Sequence, residues 1–145
     1  MAIEIREQAF DPFAEVQAFQ TRMEQQGQYG ATAIFIGTMR DFNEGDDVSA
    51  MLLEHYPGMT EKYLHQISQQ AQQRWPLVAS LIIHRVGKVY PNDPIVVVAV
   101  WSAHRGAAYE ANRFLMEELK ARAPFWKKES LTEGERWVEQ NTPGH

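Results

Sequence analysis

Apolar positions along this chain recur at helical spacing in three stretches and at strand spacing in four. Asp11-Pro12 reads as an N-cap followed by the first helical residue. Phe13, Val16, Gln20 and Met23 continue the helical stripe, which Gly27 ends. Gly30 to Gly37 is a strand, and the polar loop Thr38 to Asp47 leads to a second strand, Val48 to Tyr56. The loop is short, which predicts an antiparallel pair. After the Pro57-Gly58 turn, Thr60 is placed to cap a helix with Leu64, Ile67, Ala71 and Trp75 on one face, closed by Pro76. Leu77 to His84 is a third strand. The turn Pro91 to Pro94 leads to a fourth, Ile95 to Trp101, apolar at every position and so expected to be covered on both faces. A last helix runs from about Gly106 to Arg122, with Ala108, Ala111, Leu115 and Leu119 as its buried stripe. The order predicts an α+β fold with a mostly antiparallel sheet and three main helices, not a doubly wound parallel sheet.

The 145 residues suit one domain, 1–145. No apolar run approaches the roughly 18 residues of a membrane span, and the first residues lack a signal-peptide core. The expected location is cytoplasmic, with no membrane contact. With no cysteine, disulfides, thiolate metal sites and a cysteine nucleophile are excluded. His55, His84 and His104 do not show metal-ligand spacing, so neither a metal nor a cofactor is expected.

Charge narrows the partners. The net charge is −5, yet residues 101 to 128 hold six Lys/Arg against three acids. A basic segment on an acidic chain suits a small anionic ligand or an acidic partner tail better than nucleic acid. Within it, Glu118 and Arg122 are spaced as a surface ion pair. Lys120 lies at the edge of the apolar stripe, in line with Tyr109 and Met116. It can point into a partly dry pocket, where burial and neighbouring cations would lower its pKa, or it can snorkel to water beside Glu117. Ser102-Ala103-His104-Arg105 joins a strand to a helix N-terminus, a place for a phosphate, or merely a capped turn with a surface arginine. Arg40, just beyond the strand that ends at Gly37, suits bidentate phosphate contacts or an ordinary solvated loop. Past the last helix, Ala123-Pro124-Phe125-Trp126-Lys127-Lys128-Glu129 sets lysines beside large rings, as a pocket wall facing an anion would.

Five segments in order carry a family resemblance: EHYPGMTEK at 54–62, HRVG at 84–87, SAHR at 102–105, LKARAPFWKKE at 119–129 and GERWVE at 134–139. From about Gly30 to Glu139 the chain resembles the large, catalytic subunit of molybdopterin synthase. The resemblance implies an α/β hammerhead-like fold with an added antiparallel subdomain. It implies a sulfurtransferase that converts cyclic pyranopterin monophosphate (precursor Z) into molybdopterin. Sulfur would arrive as a thiocarboxylate on the C-terminus of a small ubiquitin-like subunit. The large subunit would form a homodimer within a heterotetramer.

By position, Lys120 and Lys127 match the family's catalytic lysines, and Arg40, His104 and Arg105 its pterin-phosphate and active-site residues. The resemblance further implies that the histidine–arginine pair reaches the pocket from the other protomer. Phe35, Met116 and Glu129 match residues near the pocket. Met39 stands where a smaller valine is usual, and Tyr109 replaces a phenylalanine. A non-catalytic module binding a ubiquitin-like tail or a phosphorylated pterin is the alternative. In that case loss of Lys120 would not abolish turnover.

Overall fold

The computed structural model describes residues 1–43, 46–131 and 134–138. In chain order the elements are β1 (Ala2–Arg6), α1 (Pro12–Arg22), β2 (Ala31–Thr38), β3 (Phe42–Asn43), β4 (Asp46–His55) and α2 (Met59–Arg74). Then follow β5 (Leu77–Arg85), β6 (Gly87–Val89), β7 (Pro94–Ser102), α3 (Arg105–Arg122), β8 (Phe125–Leu131) and β9 (Gly134–Trp137). The strands form two sheets, one ordered β1-β5-β7-β2, the other β3-β4-β8-β9 with β6 also on β4.

The first sheet is built around β7. Its residues Val96 to Trp101 are fully buried, as an all-apolar strand requires. One face meets α1, through Phe10, Val16 and Met23 against Val97, Ala99 and Trp101. The other meets α2 and α3, through Leu64, Ile67, Ala111, Leu115 and Leu119 against Val96, Val98 and Val100. β5 and β2 flank β7 antiparallel, and β1 adds to β5 in parallel. Asn112 ties α3 down: its amide donates to the carbonyls of Ala33 on β2 and Val98 on β7, at 3.0 and 2.9 Å.

The α+β class and the three helices stand, but several local expectations do not. The strand ending at Gly37 and the one starting at Val48 belong to different sheets. β2 pairs with β7, whereas β4 pairs with β3, β6 and β8. The reason is that β7, buried on both faces, takes a neighbour on each edge, and β2 completes it. The connecting segment forms its own short pair, Phe42–Asn43 with Asp46–Asp47; residues 44 and 45 lie outside the described ones. Five strands, β1, β3, β6, β8 and β9, had no counterpart in the pattern. Phe13 is exposed, since Phe10 and Phe19 flank α1's buried side with Val16, and the helix stops at Arg22, short of Gly27. Thr60 is not the cap of α2. Gly58 holds that place at φ 86°, and its N–H donates to the Glu61 carboxylate. The Thr60 hydroxyl instead accepts from Tyr56 N–H and donates to the Pro124 carbonyl, tying the start of α2 to the start of β8.

Candidate active site

β8 begins where α3 ends, and the corner brings two lysines together. Lys120 sits in the last turn of α3. Lys127 lies on β8, where strand alternation puts it on one face with Phe125 and Glu129. The two lysines act on each other's proton affinity. Two like charges that interact disfavour each other's charged form. Burial first, then the charge and contact of Lys127, bring the Lys120 pKa from 10.5 to about 7. The amine form of Lys120 is therefore within reach near neutral pH. Lys127 is also lowered, chiefly by burial and further by Arg40, while Lys120 and Glu129 oppose the drop.

Each neighbour is held by the backbone that carries it. Glu129, nearly buried, faces Arg136 across the β8–β9 ladder, and Arg136 Nε donates to its Oε1 at 3.0 Å. Arg40 follows Met39, whose N–H and carbonyl bond Asp93 and Asn92 in the turn before β7 at 2.9 Å each. That turn, with Asn92 at φ 76°, fixes where Arg40 leaves the fold. Gly37 lies on β2 against β7. A Cβ there would lie 2.8 Å from the Val96 side chain, so the glycine makes room for the core.

Two clefts lie along α3 and the start of β8. One, of about 290 Å³, is lined by Ala123, Pro124, Phe125, Trp126, Lys127 and Val138. The other, of about 420 Å³, lies between β2 and α3 and is lined by Phe35, Tyr109, Asn112, Arg113, Met116 and Glu117 among others. Met116, one turn before Lys120, is buried and Phe35 is part exposed. Lys128 points away, pairing with Glu135 at 2.8 Å and lying over Trp137.

His104 and Arg105 are not part of this cluster. They sit exposed at the opposite end of α3, where His104 is the N-cap residue without a side-chain cap bond. Fifteen residues of helix separate Arg105 from Lys120, roughly 22 Å. Sequence reasoning missed Arg136 as the partner of Glu129. It also weighed His84 only as a metal ligand. A signal was present, since His84 follows the apolar run Leu81-Ile82-Ile83 in a strand expected to pack in the core.

The fold and site define an α+β enzyme subunit with two half-buried lysines at the corner between α3 and β8. A family profile described as MoaE protein matches residues 5–122. The molybdopterin synthase catalytic subunit of Pseudomonas aeruginosa is 52% identical over 139 residues, covering 96% of this chain and 91% of that one. Molybdopterin synthase from Staphylococcus aureus superposes with a TM-score of 0.84 at 31% identity, covering 94% of this chain and 96% of that one. A Helicobacter pylori complex of subunits 1 and 2 of molybdopterin-converting factor shares the fold, with a TM-score of 0.80 at 18% identity over 97% of this chain and 93% of that one. The chain belongs to the MoaE family, the catalytic subunits of molybdopterin synthase, which serve molybdenum cofactor biosynthesis.

Proposed function

We propose that this chain moves sulfur from the C-terminal thiocarboxylate of a small ubiquitin-like subunit onto cyclic pyranopterin monophosphate, building the dithiolene of molybdopterin in the cytoplasm. The observation that carries the chemistry is the corner between α3 and β8, which sets Lys120, its pKa lowered to about 7, where it interacts with Lys127. Two anions, a cyclic phosphate and a thiocarboxylate, must meet in a site poor in water. Fixed positive charge there is worth far more than in bulk solvent. Lys127 orients the thiocarboxylate and offsets charge as its sulfur attacks a pterin side-chain carbon, whose C–O bond breaks; water then cleaves the acyl–sulfur bond, leaving sulfur on the pterin and the tail as a carboxylate. Lys120, with a pKa of about 7, can both take and return a proton at working pH.

The tail's route is the cleft between Pro124, Trp126 and Lys127, which leads to the lysine corner. Phe35 and Met116 border the cleft beside it that takes the pterin. Arg40 holds the phosphate from this protomer, and Glu129 balances the charge of Lys127. His104 and Arg105, too distant on their own chain, complete the phosphate site from a second copy. The functional unit is then a homodimer with one small subunit at each end.

The test mixes purified Lys120→Ala with thiocarboxylated partner and precursor and assays molybdopterin. Turnover near the native rate would sink the lysine assignment and favour a non-catalytic docking module.

A further inference from the structure

The turn between β4 and α2 lies within the segment EHYPGMTEK, which the mechanism leaves unused. Tyr56, Pro57, Gly58 and Met59 are exposed there, yet Thr60 beside them is wholly buried. Its hydroxyl accepts from Tyr56 N–H at 3.0 Å and donates to the Pro124 carbonyl at 2.9 Å. An amide only donates and a carbonyl only accepts, so the direction of this relay is fixed. It sits at the end of a ladder. His55 on β4 faces Phe125 on β8. One residue beyond each come Tyr56 and Pro124, and a proline has no N–H to give to another rung.

Pro124 is the hinge of the site. It separates Lys120, in the last turn of α3, from Lys127 on β8. The backbone bonds on either side of it stay local, Ala123 N–H to the Leu119 carbonyl and Phe125 N–H to the Ala123 carbonyl. The Thr60 hydroxyl ties the hinge to another element. The next two residues are held by side chains. Phe125 stacks on His84 of β5, with ring centroids 3.8 Å apart and planes 15° from parallel, and Trp126 meets Tyr56 at 6.5 Å. Pro124, Phe125, Trp126 and Lys127 also line the cleft of about 290 Å³. Whatever fixes the hinge therefore fixes one wall of that cleft.

We propose that Thr60 is a positioning residue for the reaction: its hydroxyl, relaying Tyr56 N–H to the Pro124 carbonyl, holds the hinge between α3 and β8 and with it the placement of Lys120 relative to Lys127. The inference rests on Lys120 and Lys127 being the reacting groups.

Valine fills nearly the same space but turns a methyl towards both the amide and the carbonyl. Buried polar groups left without partners are costly, so the hinge must shift to let water reach them. Serine keeps the relay and loses only a methyl. Burial is the largest cause of the lowered Lys120 pKa, about 7, so water at the hinge raises it. The other charged and titratable groups acting here are Lys127 and Glu129 on β8, Arg40 after β2, His84 on β5 and His55 on β4. Neither substitution alters any of them.

The two variants are compared in the full complex with thiocarboxylated partner and precursor. Thr60→Val should lower turnover about tenfold. The inflection that Lys120 gives the turnover–pH profile near pH 7 should move up by roughly half a unit or more. Thr60→Ser should return both the rate and the inflection towards native. A folded Thr60→Val enzyme that melts earlier but keeps the native rate and profile overturns the proposal, since the hydroxyl would then serve stability alone.

Should the valine variant fail to fold, hydrogen exchange in the native protein decides. The Tyr56 amide, bonded to a buried hydroxyl, should exchange slowly, and more slowly still once the thiocarboxylated partner fills the cleft beside Pro124. Exchange as fast as a free amide, or indifferent to the partner, overturns the proposal. Native-like turnover of Lys120→Ala would instead bring down the lysine assignment itself. Loss of turnover there with a native Thr60→Val enzyme would bring down only the role of Thr60.

Discussion

The two ends of α3 carry the same kind of charge in opposite surroundings. At its start, His104 and Arg105 stand in water. At its end, half-buried Lys120 meets the start of β8, where Lys127 lowers its proton affinity. The helix dipole alone would argue for the reverse behaviour. A helix C-terminus favours a cation by about 0.3–1 kcal/mol, which should keep Lys120 charged. Each tenfold change in proton affinity is worth about 1.36 kcal/mol, and the Lys120 pKa falls from 10.5 to about 7. Burial and the second lysine therefore overwhelm the dipole. The dry end holds a lysine with a pKa of about 7. The wet end keeps Arg105 in water at a helix N-terminus, whose positive dipole end adds to its charge.

The largest expected effect tests the dry end. Lys120→Ala should cut molybdopterin formation by roughly 10²–10⁴, the range for loss of a proton-transfer group. Affinity for the small subunit, measured by calorimetry, should stay close to native. Lys120→Arg keeps a charge but not a titratable amine. Its residual turnover should lose the inflection near pH 7. If Lys120→Arg instead keeps both native rate and native pH profile, the two ends do not differ in the way described.

The wet end should show a smaller loss and a different kind. Arg105→Ala should reduce turnover about 10- to 100-fold, mainly through weaker precursor binding, as expected for a charge-assisted phosphate contact. Because roughly 22 Å of helix separates the two ends, their defects should complement. Unfolding and refolding an equal mixture of Lys120→Ala and Arg105→Ala chains gives mixed dimers with one intact site each. Activity should recover to roughly a quarter of native, from half the dimers with one of two sites restored. No recovery would place both ends of α3 in one protomer's site and undo the dimeric reading.

The dry end was also the less legible of the two in the sequence. β7 announced itself, because seven apolar residues in a row can only be a doubly covered strand. The stripe of α3 was equally plain, and it put Lys120 at its edge. The periodicity could not say whether that lysine turned inwards, since the answer depends on β8. That strand reads FWKKESL, and its alternation of Phe125, Lys127 and Glu129 facing in looks polar until Arg136 and Lys120 are set against it. β9, which supplies Arg136, is four residues long. The pairing of β2 was misjudged for a similar reason. Local loop length favoured its sequence neighbour, whereas the uncovered edge of β7 decided the outcome. The five sequence segments placed the family where local pattern could not place the strands. Glu139, at the end of the last segment, lies outside the described residues.

Stability offers a third, gentler test. The unfolded chain holds Lys120 at its ordinary pKa of 10.5, and the folded chain at about 7. Between those values the unfolded state binds more protons, so this group makes stability rise with pH from about 7 to 10.5 and penalises the fold fully below 7. Lys120→Met fills similar space without a charge. It should raise the melting temperature at pH 6, by an amount corresponding to about 1–3 kcal/mol, and raise it far less near pH 10. An equal gain at both would mean that the lysine is not desolvated in the folded protein.

The smallest effect belongs to a cation only two residues further along the same helix end. Arg122 pairs with Glu118 one turn back and is wholly exposed. The pair raises the guanidinium pKa, through the Glu118 hydrogen bond first, but arginine is charged at every relevant pH in either state. Solvent screens such pairs until little remains. Arg122→Ala should leave the melting temperature and the pH profile of turnover within experimental error. The contrast matters more than the null itself. Lys120 and Arg122 share a helix turn, and only the one that turns from water towards Lys127 should carry a pH-dependent signature. A measurable shift of the turnover inflection in Arg122→Ala would show that general surface charge, not the buried corner, sets the Lys120 pKa.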